Sequence, residues 1–323
     1  MRNYSMKKNL LLLFMLIIPA AEYAQSFSDQ TVNPSEYVFG IGFSGALTDI
    51  GGSPFDGTHF LNDFNTQAVN IGGFLGYRKH ISNSFSIKGV LTLAELYGND
   101  DLTRNLFRYK RNQNFRSLII EPSIQGEYHF FKSKRWLKGD TMEQNRNRNT
   151  EHIKRPFWDL YVFGGIGVFY FNSQGRYNGG PPPPSGMNTS EWYNLRPLST
   201  EGEGLPNGPQ EYSPFAICFP IGVGLKYDLN TNWSIGLELS DRLWTSTDDI
   251  DDTHENYFSQ SEILKYKGPI AAYFANPSNG LGDYLNLSGQ ERGDPKHNDV
   301  YMFVFLCVNY HPIFTQHAGH GIH

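Results

Sequence analysis

Residues Trp233 to Asp252 read WSIGLELSDRLWTSTDDIDD. Trp233, Ile235, Leu237 and Leu239 fall on one face of an extended chain, and Ser234, Glu238, Ser240 and Arg242 on the other, the period-two pattern of a strand. A strand with hydrocarbon on one side and charge on the other separates an oily medium from a polar one. Beyond Trp244 the segment runs into a block of acid: Asp248, Asp249, Asp251 and Asp252. Either the apolar face packs into a soluble core, or it meets lipid while the charges face the inside of a closed sheet.

The rest of the chain carries the same pattern. Of 323 residues, 15% are aromatic and 33 are glycine, and the mean hydropathy is negative. High Phe, Tyr and Gly without long apolar runs fits an all-β protein. The net charge of −5 argues against nucleic acid as a partner. At the N-terminus, Lys7 and Lys8 precede an apolar stretch from Leu10 to about Ala21, followed by small residues at Ala20, Ala21 and Ala24. That pattern reads as a secretory signal peptide over residues 1–24, with an uncleaved single anchor as the rival reading. No Cys follows the apolar stretch, so a lipoprotein is not expected. Downstream no 18-residue apolar stretch occurs, so no transmembrane helix is expected. Cys218 and Cys307 are the two cysteines. They fall on strands separated by another strand, about 9–10 Å apart, too far for a disulfide.

Eight period-two segments follow residue 35. The first four are Glu36–Ala46, Ala68–Lys79, Phe85–Leu96 and Asn114–Phe130; then come Trp158–Phe171, Phe215–Tyr227, Trp233–Trp244 and Val300–His311. Links of about five residues join the second to the third and the sixth to the seventh, the latter through the Asp- and Asn-rich turn Asp228–Asn232. Other links are long, notably Asn172–Ser213 and Thr245–Asn298, and Phe131–Phe157 is long on the side otherwise served by short turns. An even number of strands of about 10 to 12 residues, with long loops mostly on one side, predicts an antiparallel eight-stranded transmembrane β-barrel of the outer membrane, over residues 35–311. Residues 25–34 form a short leader to it, and 312–323 a tail on the short-turn side. A lipocalin or β-sandwich is the soluble alternative, but Tyr77, Tyr128, Phe130, Trp158, Tyr227, Trp233 and Tyr310 near strand ends suit a membrane interface.

In such a barrel Lys88, Glu121, Glu127, Lys226, Glu238 and Arg242 point inward, with Arg78 beside them. An eight-stranded lumen is just wide enough to be filled by side chains, so these charges are expected to pair as a structural network. No catalytic, cofactor or metal site is expected. There is no G-x-S-x-G, and His254 near Asp251 and Glu255 reads as part of a flexible loop. The aspartate block lacks the spacing of a calcium loop and reads as a solvated outer loop. The terminal histidines His311, His317, His320 and His323 are weak as a metal motif without a rigid element to fix them. The Phe131–Phe157 connection is basic: Lys132, Lys134, Arg135, Lys138, Arg146, Arg148, Lys154 and Arg155 stand against three acids. It is either a solvated loop or a docking surface for an acidic partner.

Several segments taken together, "ELYGNDDLTRNLFRYKRNQNFRSLIIEPSIQGEYHFF", "DLYVFGGIGVFYFN", "WYNLRPLSTEGEG", "PIGVGLKYDLNTNWSIGLELSDRLWTSTDDIDDTHENY" and "RGDPKHNDVYMFVFLCVNYHP", resemble the PorG family, outer-membrane barrels of the type IX secretion system. The resemblance runs from about Ser35 to Tyr310. It implies a non-enzymatic barrel that anchors or organises a ring built from a PorK-type lipoprotein and a PorN-type periplasmic protein, during protein export and in some bacteria gliding motility. The length of Phe131–Phe157, the chain beyond the last strand and the extra histidines depart from the family pattern. Two rival functions remain: a surface-binding or adhesion barrel using its long outer loops, and a narrow solute channel, which the charge-filled lumen speaks against.

Overall fold

The computed structural model describes residues 35–51, 66–82, 84–103, 105–131, 158–230, 232–254, 256–278, 288–294 and 296–312. Ten strands form one sheet: β1 Ser35–Leu47, β2 Asn70–His80, β3 Phe85–Asn99, β4 Asn114–Phe131, β5 Trp158–Arg176, β6 Trp192–Asn194, β7 Phe215–Cys218, β8 Ile221–Asp228, β9 Trp233–Arg242 and β10 Val300–Tyr310. Each long strand pairs antiparallel with the next, and β10 returns to β1, with Tyr37 opposite Tyr310 and Leu47 opposite Val300. The sheet is therefore closed. Counting β7 and β8 as one interrupted strand, both paired to β5, and leaving aside the three-residue β6 on the end of β5, this is an eight-stranded antiparallel barrel.

The sixth strand corrects one expectation. The run Phe215–Tyr227 is not continuous, because Pro220 has no N–H for the ladder. Pairing is carried across the gap by Gly165 N–H donating to the Pro220 carbonyl and Phe219 N–H to that of Trp244. Other strands outrun their apolar stretches: β5 extends to Arg176 and β3 to Asn99, so the sheet rises well beyond its hydrocarbon-facing part.

The short links close as their residues require. Ile81 and Ser82 N–H donate to the Phe85 carbonyl, while Leu229 and Asn230 N–H donate to that of Trp233. The Asn230 side chain accepts from Asn232 and Trp233 N–H, the local bond that makes Asn a turn residue. Inside the barrel, Gly224 lies against the Tyr161 ring and Gly40 against the Phe74 ring, where any Cβ would collide. These glycines make room for rings that cross the lumen.

At the other end the long loops fold over the barrel mouth. They carry helices α1 Leu106–Arg111, α2 Gln260–Lys267 and α3 Pro269–Ala275. The Asn105 side chain caps α1 by accepting from Phe107 and Arg108 N–H, and α1 ends at Asn112 in the left-handed region, φ 61°. Leu195, Tyr273 and Phe274 form one small core of this cap, and Ile263, Ala271 and Ala275 another. Among the described residues the cap is a packed structure over one end.

Candidate functional site

Parity sets the barrel's interior. Along β4, Ser117, Glu121, Ser123, Gln125, Glu127 and His129 are all buried, while Leu118, Ile124, Tyr128 and Phe130 between them are exposed. The inward charges form two tiers. At the short-turn end Arg78 is the hub. Its Nη1 donates to Glu36 Oε2 (2.8 Å) and to Asn309 Oδ1 (3.2 Å), its Nε and Nη2 form a fork on Glu127 (2.5 and 3.0 Å), and Nη2 reaches Glu238 at 3.4 Å. Lys88 Nζ lies 2.7 Å from Glu238 and 3.2 Å from Glu127; Lys226 Nζ lies 2.8 Å from Glu36 and 3.5 Å from Asp159. Tyr161 OH donates to Glu238 at 2.6 Å. His80 and His129 flank the Ser86 hydroxyl at 2.5 and 2.8 Å, and their other ring nitrogens meet Glu36 (2.5 Å) and Asp159 (2.9 Å).

The second tier is nearer the cap. Arg242 grips Glu121 through two bonds of 2.9 and 2.6 Å, and Tyr301 OH adds a third at 3.0 Å. Aromatic side chains fill the interior alongside both tiers. Phe74 meets Phe305 at 5.0 Å and Phe303 meets Phe305 at 5.1 Å. Lys88 Nζ lies 4.7 Å from the Phe163 centroid, and the Arg242 guanidinium 4.6 Å from that of Phe303. All six charges selected from the sequence thus lie inside and buried, divided between the tiers. Glu36, His80, Asp159 and Tyr161 join the network without having been singled out, and His129 does so from the same alternating face as Glu121 and Glu127. Alternation from Val38 and from Trp158 turns Glu36 and Asp159 inward, whereas His80 falls just past the second segment, in its link to the third.

The aspartate block is a correction. It is not a solvated loop: Asp248, Asp251 and Asp252 are buried. Each carboxylate has a task in the cap. Asp251 Oδ2 accepts from Ile50 N–H at 2.8 Å, and Asp252 accepts from the Thr200 and Tyr212 hydroxyls, both at 2.6 Å. Asp299 Oδ2 accepts from Ile250 N–H at 2.9 Å. Donors from distant loops draw these acids inward, which a local run of sequence does not reveal. Two arginines complete the cap: half-buried Arg111 on Asp100, and buried Arg292 on Glu201 at 2.7 Å and on the Asp252 carbonyl at 2.8 Å.

Burial holds Asp251, Asp252 and Asp299 well above the usual carboxylate range, reinforced by nearby acids: Asp49 for Asp251, Glu203 for Asp252, Asp251 for Asp299. Asp248 and Glu203 are pushed up to about 7, again chiefly by burial. His254 is likewise not in a loose loop. Its Nδ1 lies 2.9 Å from Asp248 Oδ2, and that bond raises the imidazole to about 9. Among the described residues no three His, Cys, Asp or Glu side chains converge as a metal would need.

The outer wall is apolar. Tyr37, Phe39, Ile41 and Phe43 on β1, Ile71 and Leu75 on β2, Ile166 and Val168 on β5, and Leu237 and Leu239 on β9 are all exposed. Aromatic pairs ring the short-turn end: Tyr37–Tyr77 at 5.5 Å, Phe85–Tyr128 at 5.1 Å, Trp158–Tyr227 at 4.9 Å and Trp233–Tyr310 at 4.8 Å. A second set, Tyr170–Phe215 and Phe219–Trp244, stands toward the cap. From Trp158 to Tyr170 is roughly 40 Å of strand, or about 28 Å across a bilayer at a tilt near 45°. So much exposed hydrocarbon would be a severe liability in water. The fold is a transmembrane β-barrel.

No family model matches the chain. Among solved structures, the attachment invasion locus protein Ail of Yersinia pestis, bound to the heparin analogue sucrose octasulfate, shares 10% identity at a TM-score of 0.32, over 85% of this chain and 97% of that one. Neisserial surface protein A shares 8% at 0.33 (88% and 100%). The outer-membrane protein OprG of Pseudomonas aeruginosa shares 9% at 0.34 (87% and 98%). Likeness this remote adds nothing to what the strand pairing already establishes.

The eight basic positions Lys132, Lys134, Arg135, Lys138, Arg146, Arg148, Lys154 and Arg155 lie outside the described residues, as do residues 1–34, which include the expected signal peptide, and the histidines beyond His311. His311 itself is buried, and its N–H donates to the Asn232 carbonyl at 2.8 Å. Cys218 and Cys307 are free thiols, both buried.

Proposed function

We propose that this protein is a non-enzymatic barrel of the outer membrane that serves type IX secretion, holding a PorK-type lipoprotein and a PorN-type ring protein at the periplasmic face. The observation that carries the reading is the filled lumen. Two tiers of ion pairs and a lattice of aromatic rings occupy the space a solute would need, and the cap covers one mouth. A barrel of this kind is suited to being an anchor rather than a conduit, and the sequence resemblance supplies the machinery it would anchor. The basic Phe131–Phe157 segment supplies docking charge on the short-turn side.

Crosslinking in intact cells, followed by purification of this protein, tests the proposal. Recovery of the ring lipoprotein together with its periplasmic partner is expected. Alanine at Lys132, Lys134, Arg135 and Lys138 should then reduce that recovery. If neither partner comes with a correctly inserted barrel, the proposal fails.

One observation favours a second reading, in which the protein binds a surface outside the cell. Helix α1 exposes Leu106, Phe107 and Tyr109 on the cap, and Phe107 is 68% exposed. On that reading Phe107→Ser abolishes attachment to a target surface and leaves secretion intact.

A further inference from the structure

Above the apolar belt, on the wall that faces sideways rather than into the cap, lies a polar rim built on β3, β4, β5 and β6. The strand register fixes its height. Leu93, Ile120 and Tyr170 form one outward row; Glu95, Leu118 and Asn172 the next; Tyr97, Arg116 and Gln174 the one above; Asn99, Asn114 and Arg176 the last. Two residues of strand advance by about 6.7 Å, or about 5 Å along the bilayer normal at a tilt near 45°. Arg116 therefore stands at headgroup level above Leu118, the last exposed aliphatic side chain of its strand.

Strand β6 lies on the end of β5, with Trp192 opposite Arg176 and Asn194 opposite Gln174. This places the Trp192 ring between two guanidinium groups, Arg116 at 4.6 Å and Arg176 at 5.0 Å from its centroid. The arrangement is held from behind. Arg116 Nε donates to Gln174 Oε1 at 2.8 Å, Gln174 Nε2 to Asn194 Oδ1 at 2.7 Å, and Asn172 Nδ2 to the same oxygen at 3.0 Å.

Two cations sharing one ring are no more than about 10 Å apart, and such a pair repels unless an anion joins it. The local acids do not meet that need. Glu95 is 3.7 Å from Arg116, in a half-exposed and long contact, and its other oxygen accepts from Asn70 at 2.6 Å. Among the described residues Arg176 meets no carboxylate. The forked guanidinium is the side chain suited to phosphate oxygens, and Trp is the ring suited to the membrane interface.

We propose that Arg116, Trp192 and Arg176 form a binding site for the phosphorylated headgroup of a glycolipid in the outer leaflet, its acyl chains lying on Leu93, Leu118, Ile120 and Tyr170. Continuity with the lipid-facing wall selects a lipid over a soluble anion, because the site stands directly above the exposed apolar row of Leu93, Ile120 and Tyr170. Position on the cap side selects the leaflet opposite the short turns. The inference does not depend on the secretion role.

The test uses the full-length barrel in neutral detergent, with bound lipid counted by native mass spectrometry. The probes are bisphosphorylated lipid A, the same lipid with both phosphates removed, and inorganic phosphate. The phosphorylated lipid should be retained at least tenfold more strongly than the dephosphorylated one, and the double variant Arg116→Gln/Arg176→Gln should lose that margin. Circular dichroism and retarded unfolding in dodecyl sulfate confirm that the variant is folded. The double variant Arg116→Lys/Arg176→Lys keeps the charge but loses the fork and its stacking on Trp192, so it should keep only part of the preference. Equal retention of the two lipids by the parent, or an unchanged margin in the Gln variant, overturns the site. Displacement of the lipid by inorganic phosphate at equal concentration overturns the choice of a lipid. A similar loss from Lys265→Gln, an exposed lysine of α2 outside the site, would show bulk charge at work and also overturn it.

Discussion

The lumen and the cap are both buried and both crowded with acid, yet three aspartates of the cap are held differently from the carboxylates of the lumen. In the lumen each carboxylate faces a cation: Glu127 faces Arg78 and Lys88, Glu36 faces Arg78 and Lys226, and Glu121 faces Arg242. In the cap, Asp251, Asp252 and Asp299 are held by backbone N–H or hydroxyl donors, and burial among other acids raises their hold on protons. The lumen is fixed by matched charge, whereas the cap adds to its ion pairs Arg111–Asp100 and Arg292–Glu201 a set of aspartates whose charge is disfavoured. The two should therefore break under different insults.

The largest effect is expected at the hub. Arg78→Met leaves Glu36 and Glu127 facing one cation fewer in a closed space, so urea unfolding in lipid should show a loss of about 3–5 kcal/mol. A loss below about 1 kcal/mol would mean that water or the neighbouring lysines take over, and the lumen would not be a network. Next is Arg242→Met, expected to cost about 3 kcal/mol because Glu121 is stranded; pairing it with Glu121→Leu should recover most of that loss. If the double variant is as poor as the single one, packing rather than charge holds the upper tier.

The third break is by pH and should reach the cap alone. Raised aspartates favour the closed cap at acid pH, because the folded form keeps protons that an unfolded chain releases near pH 4. That advantage falls as pH rises through about 7, where Asp248 and Glu203 titrate. His254, held protonated up to about 9, adds stability that is complete below an ordinary imidazole pKa of about 6.5 and is lost as pH climbs through 9. Both slopes run the same way. Backbone exchange in 245–254, corrected for intrinsic rate, should therefore speed up from pH 6 to pH 9 while β1 and β10 stay protected.

The smallest effect sharpens the contrast. Asp251→Asn keeps an oxygen for Ile50 N–H and removes only a charge that burial disfavours, so stability at pH 5 should change by less than about 1 kcal/mol. The matching change in the lumen, Glu127→Gln, should cost about 2–3 kcal/mol. Equal costs would erase the distinction between the two regions.

How much of this the sequence disclosed follows the same divide. A strand wall with lipid on one side obliges strict alternation, so the eight segments and the inward face of Glu121, Glu238 and Arg242 were legible. Depth was not: parity says that Lys88 and Arg242 face inward, not that one joins Arg78's tier and the other Glu121. The break at Pro220 was masked by apolar residues on both sides of it. The upper ends of β3 and β5 were missed because polar residues there still pair. The cap was misread outright. A run such as Thr247-Asp-Asp-Ile-Asp-Asp looks solvated until Ile50, Thr200 and Tyr212, far away in the chain, are seen to donate to it.

The seam between β1 and β10 carries a consequence for how the barrel is made. β1 pairs with β10 from Tyr37–Tyr310 to Leu47–Val300, so the first strand of the barrel to leave the ribosome waits for the last. Until Val300–Tyr310 arrives, the half-built sheet has two open edges whose N–H and C=O groups cannot be left bare in hydrocarbon. Membrane entry and closure are therefore one event, timed by the C-terminal strand, and a chain cut short before it has no stable place in the bilayer.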